Sequence, residues 1–425
     1  MLLKGVKNYH FVSFYKIHTT STIAWRFCYN AIAFKILQAA HFFTKGTTMK
    51  RRDFFKTAGA AIGAAPFLLN TNAPQAMAAS GEYKNAIPRW RGFNFLDYFQ
   101  ALGDRRANKV VREEDCSMVR DFGFDMVRLP MDYWFWNKTN WRETRRIEPD
   151  DLCAIDEAFL ENIDKTIELL NDRGIHASIN LHRAPGYCVN DPERESCSLW
   201  KDKIAEDAFA FHWDMFAKRY KGIPNEKLSF NLINESPGAA PDGDEKRMTR
   251  EDYRRVMTRG TEAIRAISPD RMIIIDGLNY GNIVCEEMVS TKVAQSVHAY
   301  TPFELTHYRA SWGDRNSTFP DPAWPSASWD RKRLEQHYAP WGELVKRGIG
   351  VHCGEAGCYS RTPHAVMLAW LEDTLDILTR FDIGYSIWEF RGSFGIINSQ
   401  RADVKYEDYH GHQLDRKMLE VLQKY

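Results

Sequence analysis

From about residue 85 to its end, the chain alternates short apolar runs with longer stretches whose apolar residues recur every three or four positions. No other feature narrows the fold as much. The strand-like runs fall at residues 91–95, 126–129, 176–181, 228–233, 271–276, 296–299, 349–353 and 384–387. Several are apolar throughout, as expected of strands buried on both faces in a parallel sheet. The helix-like stretches include 155–173, 202–220, 251–267, 331–347 (broken or kinked at Pro340), 364–381 and a last one at 413–423. Eight strands, each followed by a helix or a short substitute, predict an α/β protein, a (β/α)8 TIM barrel. No repeat or low-complexity linker interrupts the pattern, so residues 80–425 read as one catalytic-size domain.

The composition, 44% hydrophobic and 27% charged over 425 residues, fits a soluble globular body with a large core. The formal net charge of +1 is unevenly spread. Residues 1–79 hold ten Lys/Arg and one acid, Asp53, which leaves −8 for the rest. An acidic body argues against nucleic acid as a partner. Thirteen Trp and eighteen Tyr are many for this length; a large aromatic core claims most of them, and aromatic faces also suit a sugar ligand.

The basic N-terminus reads as a targeting segment. Met49 opens a stretch with Arg51 and Arg52, then Phe54, Phe55 and Lys56, then an apolar run at 58–69, then Ala76, Met77 and Ala78 as a small-x-small cleavage site. This resembles a twin-arginine export signal and implies the export machinery as a partner and a periplasmic or secreted protein. The run of roughly a dozen apolar residues is too short to span a bilayer, which takes about 20, so no stable membrane anchor is expected. Residues 1–48 lack Asp and Glu and read as an upstream extension or a mis-assigned start, with 49–79 as the signal. Seven cysteines follow residue 79. The odd number argues against a complete disulfide framework, although Cys188 and Cys197 could bridge one loop. No CxxC or Cys/His cluster has zinc spacing. No metal or other cofactor is implied.

The residues at the strand ends carry the functional signal. Strand two ends with Arg128 in MVRLP, strand three with His182 in INLHRAPG, and strand four with Asn234 and Glu235 in LSFNLINESPG. Strand six offers His298 and Tyr300 in SVHAYTP, strand seven Glu355 in GIGVHCGEAG, and strand eight Trp388 in YSIWEFRG. The carboxyl ends of barrel strands are where catalytic groups converge. From about residue 88 onward this ordered set of eight resembles glycoside hydrolase family 5, the cellulase-type retaining glycosidases. One departure is Ser236, which stands before Pro237 where that family commonly has Pro directly after Asn-Glu.

The chemistry needs these residue types. Glu355 would attack the anomeric carbon as a carboxylate, so it must stay ionised, and Arg128 is a permanently charged bidentate donor suited to hold it so. Tyr300 can donate to the same group. Glu235 would begin protonated, give its proton to the leaving oxygen, then act as base for water. Asn234 can bond the sugar 2-hydroxyl, His182 and His298 can orient carboxylates or hydroxyls, and Trp388 offers a face to the ring. Asp97 and Asp276, also near strand ends, read as structural, and strand alternation turns Glu389 away.

The resemblance implies a retaining hydrolase of β-linked polysaccharides or oligosaccharides, with a cellulase-like β-1,4-glucan favoured. A β-mannanase, a β-1,3-glucanase or an exo-acting β-glycosidase is the alternative, and an inactive sugar-binding barrel or a metal-dependent hydrolase using His182 and His298 is more remote. Three long loops follow strand ends. They carry Tyr133, Trp134, Trp136 and Trp141, then Tyr187 with the two cysteines, then Trp312, Trp324 and Trp329, and they are expected to wall a cleft.

Overall fold

In the computed structural model the described residues are 83–101 and 110–425. The extension expected at residues 1–48 and the export signal expected at 49–79 lie outside them. Eight strands form the centre: β1 (Arg91–Asn94), β2 (Met126–Asp132), β3 (His176–Ala184), β4 (Leu228–Asn231), β5 (Ile273–Asp276), β6 (Ala294–Ala299), β7 (Val351–Ala356) and β8 (Gly384–Ile387). Each pairs in parallel with the next in sequence, and β8 pairs with β1, so the sheet closes on itself. The predicted barrel is the observed one.

The helices bury one stripe against the barrel. They are α1 (Glu113–Asp121), α2 (Glu157–Asn171), α3 (Lys203–Arg219), α4 (Arg250–Arg265), α5 (Arg331–Lys346), α6 (His364–Arg380) and α7 (Arg416–Lys424). Helix α2 shows why the sequence folds this way. Asp156 caps it by accepting from the amides of Ala158 and Phe159, and Phe159, Leu160, Ile163, Ile167 and Leu170 form its buried face. Each such side chain contributes roughly 1.5–3 kcal/mol by leaving water. Only short helical turns, at Leu278–Gly281 and Glu286–Thr291, join β5 to β6.

Two sequence expectations shift. Helix α5 runs through Pro340 without a break, because Leu334, Tyr338, Trp341, Leu344 and Val345 dock it on both sides of the proline. The final helix starts at Arg416, where Asp415 accepts from the amide of Met418. Its expected first turn is instead a strand, His412–Leu414, paired antiparallel with Glu407–Tyr409. Among the described residues, no helix is long and apolar enough to cross a membrane.

Two backbone irregularities aim side chains into the barrel mouth. On β6 and β7, Val297 pairs with Cys353 but His298 pairs with Glu355, so Gly354 is an extra residue in the register. Strict alternation would put only every second side chain inside. A Cβ on Gly354 would point inward, 2.5 Å from Ser296 Oγ and 3.3 Å from His298 Nε2. The bulge turns Glu355 inward as well, and only glycine leaves space beside it. After β4, Glu235 has a φ of +48°, a left-handed conformation that is costly for a non-glycine residue. Its amide donates to Asp276 Oδ2 at 3.1 Å, which helps hold it there. The next two carbonyls, of Ser236 and Pro237, accept from the amides of Tyr280 and Asn279, so the Ser-Pro departure is absorbed by docking this turn on the loop after β5.

Candidate active site

The eight residues picked out from sequence are brought together at the carboxyl end of the barrel. One carboxylate oxygen each of Glu235 and Glu355 and one ring nitrogen of His298 lie within 4.8 Å of one another. Glu355 is buried, with Arg128 Nη1 donating to Oε1 at 2.9 Å and Tyr300 OH donating to Oε2 at 3.0 Å. Glu235 is partly exposed, and its Oε1 sits 2.9 Å from His298 Nδ1. Trp388 is half-buried against His182, with ring centroids 5.5 Å apart at 27°.

A layer of polar groups lies beneath. Arg128 donates to Asn231 at 2.9 Å, Asn94 at 3.0 Å and Asn234 at 2.8 Å, and Asp276 is 3.5 Å away. Asp276 also accepts from Asn231 and faces His298 Nε2 at 3.1 Å. Tyr187 donates its hydroxyl to the Glu235 carbonyl. The sequence signal for Asn94, Asn231 and Asp276 was a lone polar residue in an apolar strand. Asp276 proves to be the anchor under both His298 and Glu235. Tyr187 had no signal beyond its place on a strand-end loop.

The electrostatics follow from this packing. Burial pushes the Glu355 carboxyl up to about 7; the His298 charge opposes that rise, the Glu235 carboxylate adds to it, and Arg128 opposes it. The expectation that Arg128 simply keeps Glu355 low gives way to a balance between burial and partner charges. Two carboxyls this close do not ionise independently. Arg128 and Tyr300 both donate to Glu355 and favour its ionised form. Burial alone would depress His298, but the Glu355 and Asp276 carboxylates outweigh it and push the imidazole up to about 10. Burial would raise Asp276, yet the charge and hydrogen bond of His298, with Arg128, hold it far below the usual carboxylate range. His182 is driven well down by burial and by the Arg128 and His298 charges, and is neutral.

The loop aromatics divide. Tyr133, Trp134, Trp136 and Trp141 are buried to within 1% and cannot wall a cleft. Trp134 and Trp141 pack edge to face, and Trp136 packs on His212 and Phe216. A run of aromatic residues after a strand is as often core as platform, and here the core claims it. Tyr187 is also buried, against Trp200. Trp324 is tied down by donating to Asp373 Oδ2 at 2.8 Å. Trp312 is 50% exposed and joins a cluster with Tyr359, Phe394 and His307; the last two also touch Tyr300. Cys188 and Cys197 are both free thiols.

A closed parallel barrel with two facing carboxylates at its mouth has the architecture of the retaining glycosidases. The chain belongs to glycosyl hydrolase family 5, since the cellulase model of that family matches residues 84–393. It is thus a glycosidase that hydrolyses O-glycosyl bonds. Endoglucanase C of Acetivibrio thermocellus is 26% identical over 346 residues, covering 74% of this chain and 94% of its own length. Cellodextrinase A of Ruminococcus flavefaciens is 25% identical over 277 residues, covering 63% of this chain and 74% of its own. A solved structure described as a glycoside hydrolase is 39% identical with a TM-score of 0.72, covering 79% of this chain and 99% of that one. Endoglucanase Cel5A of Thermotoga maritima, 23% identical with a TM-score of 0.62 over 78% of this chain and 96% of its own, shares the fold.

Proposed function

We propose that the protein hydrolyses a β-1,4-linked glucan with retention of configuration, with Glu355 as nucleophile and Glu235 as acid and then base. The observation that carries this reading is the convergence of the two carboxylates within 4.8 Å, with the Arg128 and Tyr300 donors on Glu355. Retaining enzymes hold their carboxyls about 5–5.5 Å apart, and inverting ones about 6.5–9.5 Å apart to admit a water.

In the first step a Glu355 oxygen bonds to the anomeric carbon while Glu235 gives its proton to the departing glycosidic oxygen. Asn234, oriented by Arg128, bonds the 2-hydroxyl, and Trp388 lies under the ring. In the second step water attacks the same carbon, Glu235 takes its proton, and Glu355 leaves as a carboxylate. The His298 imidazolium, set between Glu235, Glu355 and Asp276, keeps the acid and the nucleophile in register. A glucan is favoured because the named relatives are endoglucanases and a cellodextrinase.

The test is hydrolysis of β-glucans and mannans by the wild type and by Glu355→Gln, with the first-formed anomer read by NMR. The β-anomer from glucan, lost in the variant, is expected. An α-anomer, or equal activity in the variant, refutes the mechanism, and activity on mannan alone moves the substrate. The paired Arg51 and Arg52 ahead of the apolar run at 58–69 support export of the folded enzyme to the periplasm or beyond. Replacing both arginines with lysine should leave the enzyme in the cytoplasm.

A further inference from the structure

The loop from β5 to β6 contains a turn that L-residues rarely make. Asn279 (φ 55°, ψ 55°) and Tyr280 (φ 59°, ψ 44°) are both left-handed, and Gly281 follows with a φ of +76°. Left-handed residues normally occur singly, because Cβ crowds the following carbonyl, and glycine alone escapes that cost. Strain of this kind persists where the surroundings over-determine it, and it gathers at functional sites. Here the surroundings are explicit. The Gly277 amide donates to the Ser296 carbonyl on β6 at 2.9 Å, and the Gly281 amide donates to the Gly277 carbonyl at 3.0 Å. Asn282 Nδ2 donates to the carbonyls of Asn279 and Tyr280, at 2.9 and 3.2 Å, and ties off the turn.

The turn reaches Glu235 from two directions. Two of its amides donate to the carbonyls just after Glu235, Tyr280 to Ser236 at 2.9 Å and Asn279 to Pro237 at 3.3 Å. The chain leaving Glu235 is thereby fixed, as its own amide is by Asp276. At the other end Gly281 lies against His298, whose Nδ1 is 2.9 Å from Glu235 Oε1. A Cβ on Gly281 would stand 2.8 Å from the Cβ, the Cγ and the backbone nitrogen of His298, closer than such atoms pack. The left-handed backbone and this contact thus demand the same residue, glycine. Glu355 is held from elsewhere, by Arg128 on β2 and Tyr300 beyond β6.

We infer that the left-handed turn at 279–281 is a positioning device for the acid/base: it sets where the Glu235 carboxyl stands, through the Ser236 and Pro237 carbonyls and through His298, and Gly281 is its critical residue. The inference rests on the proposed role of Glu235. Proton transfer needs that carboxyl within hydrogen-bond reach of the glycosidic oxygen, about 2.6–3.2 Å. An alanine at 281 has to push His298 aside or lift the turn. Either move shifts Glu235, by its tip or by its backbone, while Arg128 and Tyr300 still hold the nucleophile. Gly281 acts through other residues and touches no reacting atom, so it is a positioning residue.

The test compares two aryl β-cellobiosides. The 2,4-dinitrophenolate leaves without a proton, whereas plain phenolate needs one from Glu235. In Gly281→Ala, kcat/KM on phenyl β-cellobioside should fall about 10- to 100-fold, the cost of a misplaced proton donor, and that on 2,4-dinitrophenyl β-cellobioside by less than about threefold. Asn282→Ala unties the turn without adding a Cβ against His298. It should show the same selectivity to a smaller degree, and it decides the matter if the melting curve shows Gly281→Ala to be unfolded. A folded variant that loses activity equally on both glycosides, or loses none on either, overturns the inference. Glu235→Gln run alongside separates the two readings. If it keeps its activity on the phenyl glycoside, or loses both activities equally, the acid role of Glu235 fails and this inference with it, as they do if the wild type cleaves neither glycoside.

Discussion

Tyr300→Phe removes one hydroxyl and little else. The Tyr300 ring packs on His307 at 5.1 Å and Phe394 at 6.1 Å, contacts that phenylalanine keeps. The lost group is the donor to Glu355 Oε2 at 3.0 Å. It is a reliable donor, because burial and the Glu355 and Glu235 charges hold the phenol protonated far above its ordinary range. A buried hydrogen bond to a charged group is worth about 1.5–3 kcal/mol. That bond favours the ionised form of Glu355, so losing it raises the Glu355 pKa, already pushed to about 7. At about 1.4 kcal/mol per unit, the rise is roughly one to two units. The nucleophile must be ionised, so the acid limb of kcat/KM moves to higher pH by that amount. Activity at pH 5 should fall about 10- to 100-fold, and the loss should shrink as pH rises past the new limb. The assay is kcat/KM on an aryl β-glycoside from pH 4 to 9. An acid limb that stays in place, or moves down, refutes the claim that Tyr300 acts by stabilising the Glu355 charge.

Two further substitutions test other parts of the structure. Trp134→Ala should cost about 3–5 kcal/mol in chemical denaturation, as for any fully buried large aromatic, while the KM of the folded enzyme changes little; a raised KM with intact stability would return Trp134 to the cleft. His298, raised from its ordinary 6.5 to about 10, stabilises the fold fully below the lower value, and that contribution is lost as pH climbs through the upper one. The melting temperature of the wild type should therefore drop more between pH 6 and pH 10 than that of His298→Gln, and parallel curves would refute the charged imidazole.

Much of the site was legible because barrels expose function in a fixed place. Arg128, His182, Asn234, Glu235, His298, Tyr300, Glu355 and Trp388 each stand near the end of an apolar run, where a polar or aromatic residue is conspicuous. The aromatic loop 132–151 misled for the opposite reason. Its tryptophans follow a strand end like true cleft residues, and nothing in their spacing reveals that α2 and α3 fold over them. The polar layer of Asn94, Asn231 and Asp276 was visible as isolated polar letters, but their partners come from strands up to 293 residues away in the chain.

By itself the sequence determined the periodicities, and with them the number and order of strands and helices and the end of the barrel where chemistry gathers. Those are local properties, set by which side chains avoid water and how often they recur. Only the tertiary structure decided that both carboxylates face one point. That depends on a bulge at Gly354, a left-handed turn at Glu235 held by Asp276, and a guanidinium shared among residues of several strands. Only the closed barrel brings those distant charges within a few ångströms in a place water scarcely reaches, and there the Glu355 and His298 charges shift one another in ways that no stretch of the chain could do alone.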